Sequence, residues 1–173
     1  VRSEEEGGAF DGDPEDVADI LDALRDADVT PRYIDLEYAS WTDSDDLRDA
    51  WSRWSDVDTG LILSMHDIEG RPEDLLQIVE AMVGVEEAAV RKFVWRARSV
   101  RDNIEAFHIL QQANGPAIAL CMGEAGLPSR VLAGAEGGFL TFAASDIGST
   151  APGQCDLDTL LHRYRYRSLG TRP

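Results

Sequence analysis

Short apolar runs, each about the length of one β-strand, recur along this chain between longer stretches with helical spacing. Gly60–His66 (GLILSMH), Ala89–Trp95 and Pro116–Met122 (PAIALCM) are the clearest, and Tyr33–Tyr38 and Gly138–Ala144 are further strand candidates. Asp13–Val29 places Val17, Ile20, Leu21 and Leu24 at helical spacing, with Pro14 suited to a first helical position. Helices are also expected over Asp43–Trp54, Pro72–Val83 and Val100–Gln112, with a short one near Ser129–Glu136 and a last one from Asp156. Glu73 and Asp74 sit where a helix dipole favours acids. Strands of this length alternating with helices predict right-handed βαβ units and a parallel sheet, an α/β chain. Such folds keep their chemistry at the C-terminal ends of the strands. No GxGxxG or phosphate-loop pattern follows any strand, which weakens a nucleotide-binding version.

The ends constrain the architecture further. Val1-Arg2-Ser3 reads as the tail of a strand, followed at once by an acidic, glycine-rich turn (EEEGG). That remnant and five complete strands fall short of the eight that close a barrel, and an open barrel leaves unpaired edges. The net charge of −17 repels polyanions, so neither nucleic acid nor an anionic membrane is an expected partner. No apolar run approaches the ~20 residues of a membrane span, and no signal peptide is visible. Cys121 and Cys155 form neither a metal spacing nor a disulfide framework, which makes a reducing cytoplasm the default.

Of the sixteen basic residues, fifteen are Arg, and Lys92 is the only lysine. Arginine stays protonated and cannot act as a nucleophile, whereas lysine can, although codon bias alone also leaves single lysines. Strand alternation puts Val90, Lys92 and Val94 on one face and Phe93 and Trp95 on the other. Poor solvation and nearby cations on such a face would favour the neutral, nucleophilic amine; a strand-end position would instead let it snorkel to water. His66 ends its strand, where it is placed for acid–base work or for a structural hydrogen bond. His108 and His162 fall on expected helices as surface or packing residues. Asp35 and Glu37 share one face of their strand and would need cationic partners if buried. Glu6 follows Arg2 closely enough to share a site, or belongs to a solvated turn. MGEAGLPSR at 122–130 directly follows a strand, and its Arg130 is suited to a bidentate clamp on a carboxylate.

Taken together, VRSEEEGG at 1–8, YIDLEY at 33–38, SMHD at 64–67, RKFV at 91–94, MGEAGLPSR at 122–130 and TAPGQ at 150–154 resemble the type I 3-dehydroquinate dehydratases. The resemblance implies a (β/α)8 TIM barrel lacking its first two strands here, over residues 1–165, with a tail or linker at 166–173. It implies dehydration of 3-dehydroquinate to 3-dehydroshikimate in the shikimate pathway, without metal or cofactor. Lys92 would form the Schiff base, His66 would transfer protons, and Glu6 would orient His66. Arg130 would hold the substrate carboxylate, with Arg2, Thr150 and Gln154 binding the ring substituents. The second missing strand would normally add an acid and an arginine to the substrate site. LLHRYRYRSLGTRP resembles the junction to a fused shikimate dehydrogenase domain, and a homodimer stays open. Another Schiff-base lyase, such as an aldolase, or a non-catalytic barrel remnant are the alternatives.

Overall fold

The computed structural model describes residues 2–145, 148 and 151–169. Four strands, β1 (Tyr33–Glu37), β2 (Gly60–Asp67), β3 (Ala88–Arg96) and β4 (Ala117–Met122), pair in that order and all run parallel. Before them lies α1 (Pro14–Asp26). The connections hold α2 (Tyr38–Asp43) and α3 (Asp45–Ser52), then α4 (Leu75–Val83), then α5 (Asp102–Gln112). After β4 come α6 (Leu127–Leu132), a π-helical segment at Thr159–Arg163, and α7 (Tyr166–Leu169). The expected α/β class, with consecutive parallel strands joined by helices, is the architecture found.

Local chemistry accounts for the element ends. Asp13 and Asp16 form a reciprocal capping box at the start of α1, with Pro14 in its first turn. Asp28 takes a left-handed conformation (φ 55°), which ends the expected helix before Val29. The expected Asp43–Trp54 helix is broken: Tyr38–Asp43 is already helical, Ser44 is extended, and its hydroxyl caps Leu47 N–H at 3.1 Å. Helix α4 begins at Leu75, so Glu73 and Asp74 precede it. The expected Ser129–Glu136 helix lies instead at Leu127–Leu132, with Pro128 in its first turn.

The largest departure is the fifth strand. Gly138–Ala144 forms no ladder; Phe139 N–H donates to Ala117 O at 2.8 Å, and Ala144 makes an isolated bridge to Asp156. One cross-strand hydrogen bond does not hold a segment that opens on Gly138, with Gly137 before it, against its backbone entropy. Of the expected strand tail at residues 1–3, Val1 lies outside the described residues, and Ser3 stays outside the sheet, bridging Phe10 while its N–H donates to a side chain of β1.

Period-two alternation sorts the sheet into two faces. Leu36, Leu61, Leu63, Phe93, Trp95, Ala119 and Cys121 pack against Leu21, Leu47 and Leu75 of the helices. Val90, Val94, Ile118, Leu120 and Met122 form a smaller cluster on the opposite face. A bulge decides which residues of β3 join it. Ala88 pairs with Leu61 while Val90 pairs with Ile62, so the extra, exposed Ala89 flips the phase. Ala88 therefore faces the helices, and Val90, Lys92 and Val94 face the other way. On the helix side, Trp51 stacks on Trp54 and Arg25 lies over Trp54, while the Arg53–Asp22 ion pair ties α3 to α1.

Candidate active site

On the face away from the helices, the register aligns Glu37 with Ser64 and Ser64 with Lys92. Asp35, Glu37, Ser64, His66 and Lys92 thus project from three neighbouring strands onto one wall. A cavity of about 250 Å³ opens over that wall, lined by Arg2, Asp35, His66, Lys92, Arg130, Phe142 and Gln154 together with Val94, Leu120, Met122 and Ala151. A larger cleft, about 450 Å³, lies on the helix side between α4 and α5 and includes none of these groups.

Lys92 Nζ lies 2.7 Å from Asp35 Oδ2, and the Phe142 ring centroid is 5.3 Å away. Ser64, fully buried, donates its hydroxyl to Asp35 Oδ1 at 2.6 Å and so fixes the carboxylate that faces the lysine. The expected cationic surroundings of Lys92 are therefore replaced by an acid and an aromatic ring. Half-buried Asp35 does find a cationic partner, whereas among the described residues Glu37 is met by Ser3 rather than by a base.

His66 is buried, with Nδ1 2.7 Å from Glu6 Oε2. Burial pushes the Glu6 carboxyl up to about 8, and the neighbouring Glu37 charge pushes in the same direction. Burial, Lys92 and Arg2 pull His66 down to about 3. The two groups titrate as one unit. Between those limits the pair holds one exchangeable proton, and Nε2 keeps its hydrogen. Above about 8 the carboxylate accepts from Nδ1–H, and Nε2 becomes a free base.

Glu6 sits behind His66 on a tight turn. Glu4 N–H donates to Phe10 O, Phe10 N–H to Arg2 O, and Gly8 N–H to Ser3 O at 2.6 Å. A Cβ on Gly8 would stand 1.9 Å from Arg2 O, so no other residue fits there without moving the turn. Arg2 itself donates to Gly7 O at 3.0 Å and lines the cavity.

Arg130 is placed by a chain of buried polar contacts. Asn103 of α5 accepts from Ser129 N–H at 2.9 Å and donates to Ala125 O at 2.7 Å; the Ser129 hydroxyl accepts from Cys121 N–H and donates to Gly126 O. The loop after β4 is thereby held rigid, and Arg130 is only 3% exposed, with its Nε lacking a hydrogen-bond partner. A buried guanidinium with an unused Nε–H suits a carboxylate ligand. Gln154 lines the same cavity, while Thr150 lies outside the described residues.

The structure thus gathers six of the seven expected site residues. Asp67, next to His66, is structural, accepting from Glu69 and Gly70 N–H at 2.9 Å. Sequence reasoning gave no role to Ser64, Asn103 or Phe142. Ser64 is two residues before His66, so alternation alone would have put it on the same face; the other two carry no such signal. No group of three His, Cys, Asp or Glu that could hold a metal occurs among the described residues, nor is any helix there long and apolar enough to cross a membrane.

The type I 3-dehydroquinase family model matches residues 1–171. A 3-dehydroquinate dehydratase of Methanocaldococcus jannaschii is 30% identical over 171 residues, covering 98% of this chain and 75% of that protein. A bifunctional chloroplastic 3-dehydroquinate dehydratase/shikimate dehydrogenase of Arabidopsis thaliana is 33% identical over 178 residues, 98% of this chain but 28% of that one. The crystal structure of the Geobacillus kaustophilus 3-dehydroquinate dehydratase superposes with a TM-score of 0.81 at 23% identity, over 99% of this chain and 67% of that one, a likeness of fold.

Proposed function

Because the chain belongs to the type I 3-dehydroquinase family, we propose that it dehydrates 3-dehydroquinate to 3-dehydroshikimate through an imine on Lys92. The observation that carries this reading is the sharing of one cavity by the sole lysine, the Glu6-linked His66 and the buried Arg130.

Arg130 binds the substrate carboxylate, with Arg2, Thr150 and Gln154 on the ring substituents. Lys92 attacks the ring ketone as a free amine. Asp35, 2.7 Å away and held by Ser64, is the nearest base for the ammonium proton and orients Nζ. Loss of water from the carbinolamine leaves a protonated imine, an electron sink that acidifies the adjacent C–H. His66 Nε2, free when the Glu6–His66 pair has released its proton, removes that hydrogen and the electron pair forms an enamine. The electrons then return to expel the ring hydroxyl, which leaves as water with the proton from His66, and hydrolysis frees the product and Lys92. A pair whose upper step lies near 8 serves both halves, since neither proton transfer is far uphill near neutral pH.

The deciding experiment is borohydride reduction in the presence of 3-dehydroquinate, followed by mass spectrometry. One reduced adduct mapped to Lys92, together with turnover lost in His66→Ala, is the expected result. A folded chain that turns over 3-dehydroquinate without any adduct would refute the imine, and absence of both would refute the activity.

A further inference from the structure

Glu37 has no part in the steps above, yet it is one of few buried acids, 7% exposed on the site face of β1. Its Oε1 accepts twice from one residue, Ser3 N–H at 2.6 Å and the Ser3 hydroxyl at 3.0 Å. The Ser3 oxygen in turn accepts Glu6 N–H at 3.3 Å. A continuous line of contacts therefore runs from Glu37 through Ser3 and Glu6 to His66. Among the described residues no basic side chain pairs with Glu37, so its charge is left to act on its neighbours.

We propose that Glu37 is a positioning residue for the Glu6–His66 pair: it docks the Glu6 turn through Ser3, and its charge keeps the pair's exchangeable proton bound near neutral pH. This rests on the reading of His66 as the proton-transfer group. The charged groups facing Glu6 are His66 on β2, Asp35 and Glu37 on β1, Lys92 on β3, and Arg2 in its own turn. After burial itself, Glu37 does most to hold the Glu6 proton, Asp35 adds to it, and Lys92 opposes both. Like charges sharing a poorly solvated site keep one proton between them. Without Glu37 the pair would release its proton at lower pH, and His66 would spend less of the neutral range as an acid.

A purely structural Glu37 predicts something different. Glutamine offers the same Oε1 to Ser3, so Glu37→Gln keeps both hydrogen bonds and removes only the charge. The test is ¹⁵N NMR titration of the His66 ring nitrogens in the full chain without substrate, for wild type, Glu37→Gln and Glu37→Asp. The upper step of the pair should move about one pH unit lower in Glu37→Gln and return towards wild type in Glu37→Asp, which keeps the charge. The same displacement should appear in the rising limb of the pH profile for 3-dehydroquinate turnover. An unmoved step in Glu37→Gln, or an equal displacement in Glu37→Asp, overturns the proposal. Should Glu37→Gln fail to fold, ¹³C NMR of the Glu37 carboxyl in the wild type decides, and a protonated form at neutral pH overturns it. The titration does not depend on turnover: a shifted step in a chain that leaves 3-dehydroquinate untouched would sink the dehydratase reading alone.

Discussion

Lys92 Nζ touches a carboxylate and an aromatic ring at the edge of an open cavity, so charge and nucleophilicity can be separated at this residue. Lys92→Arg keeps the ion pair with Asp35 but not the nucleophile. Turnover of 3-dehydroquinate should fall by ~10³-fold or more, with no borohydride adduct and little change in thermal midpoint. The Glu6–His66 pair makes a prediction about stability. In the unfolded chain these groups release protons near 4.5 and 6.5; in the fold the steps lie near 8 and 3. Between pH 4.5 and 6.5 folded and unfolded states each hold one proton on the two groups, and their contribution is flat. Above 6.5 the folded pair retains a proton that the unfolded chain has lost, so stability falls towards pH 8. Below 4.5 the unfolded chain gains a proton that the folded pair refuses, so stability falls towards pH 3. Urea midpoints against pH, taken relative to a Glu6→Gln/His66→Gln double variant, should give that flat-topped difference.

At the scale of elements, the turn at residues 3–10 and the segment from β4 into α6 hold Glu6 and Arg130 by backbone fit. Gly8→Ala drives a methyl group into Arg2 O and shifts the turn. The expected outcome is loss of Glu6 from His66, read as a kcat lowered by ~10-fold or more while a denaturant melt still reports a folded sheet. Asn103→Ala removes the hydrogen-bond partners of Ala125 O and of Ser129 N–H in α6 and should cost ~1–3 kcal/mol in urea unfolding. Because Arg130 follows directly, KM should rise more than kcat falls. MGEAGLPSR was readable as a carboxylate clamp from its arginine and its place directly after a strand. Its anchor was not readable, because Asn103 lies 26 residues before Ser129 and nothing local to either links them. The same limit explains Gly138–Ala144: its alternation resembles a strand, but a strand exists only where a neighbour supplies a ladder.

For the molecule as a whole, a net charge of −17 opposes compaction. Raising KCl from about 10 to about 150 mM shortens the screening length from ~30 to ~8 Å. The thermal midpoint should therefore rise with salt; a midpoint that falls would mean that surface ion pairs such as Arg53–Asp22 outweigh the repulsion. Apolar periodicity in the sequence by itself determined the order of the four paired strands, their parallel sheet and its two faces, because burial of alternate residues is a local pattern. The solitary lysine and strand-end histidine stood out in the sequence as candidates only, whereas six motifs in order resembled the family to which the chain belongs. Tertiary structure alone decided that Asp35 rather than a cation faces Lys92, that an extra residue at Ala89 turns Lys92 towards the cavity, and that Glu37 reaches Glu6 through Ser3. Those outcomes depend on register, a bulge and contacts between residues dozens of positions apart, which are set only when strands pair.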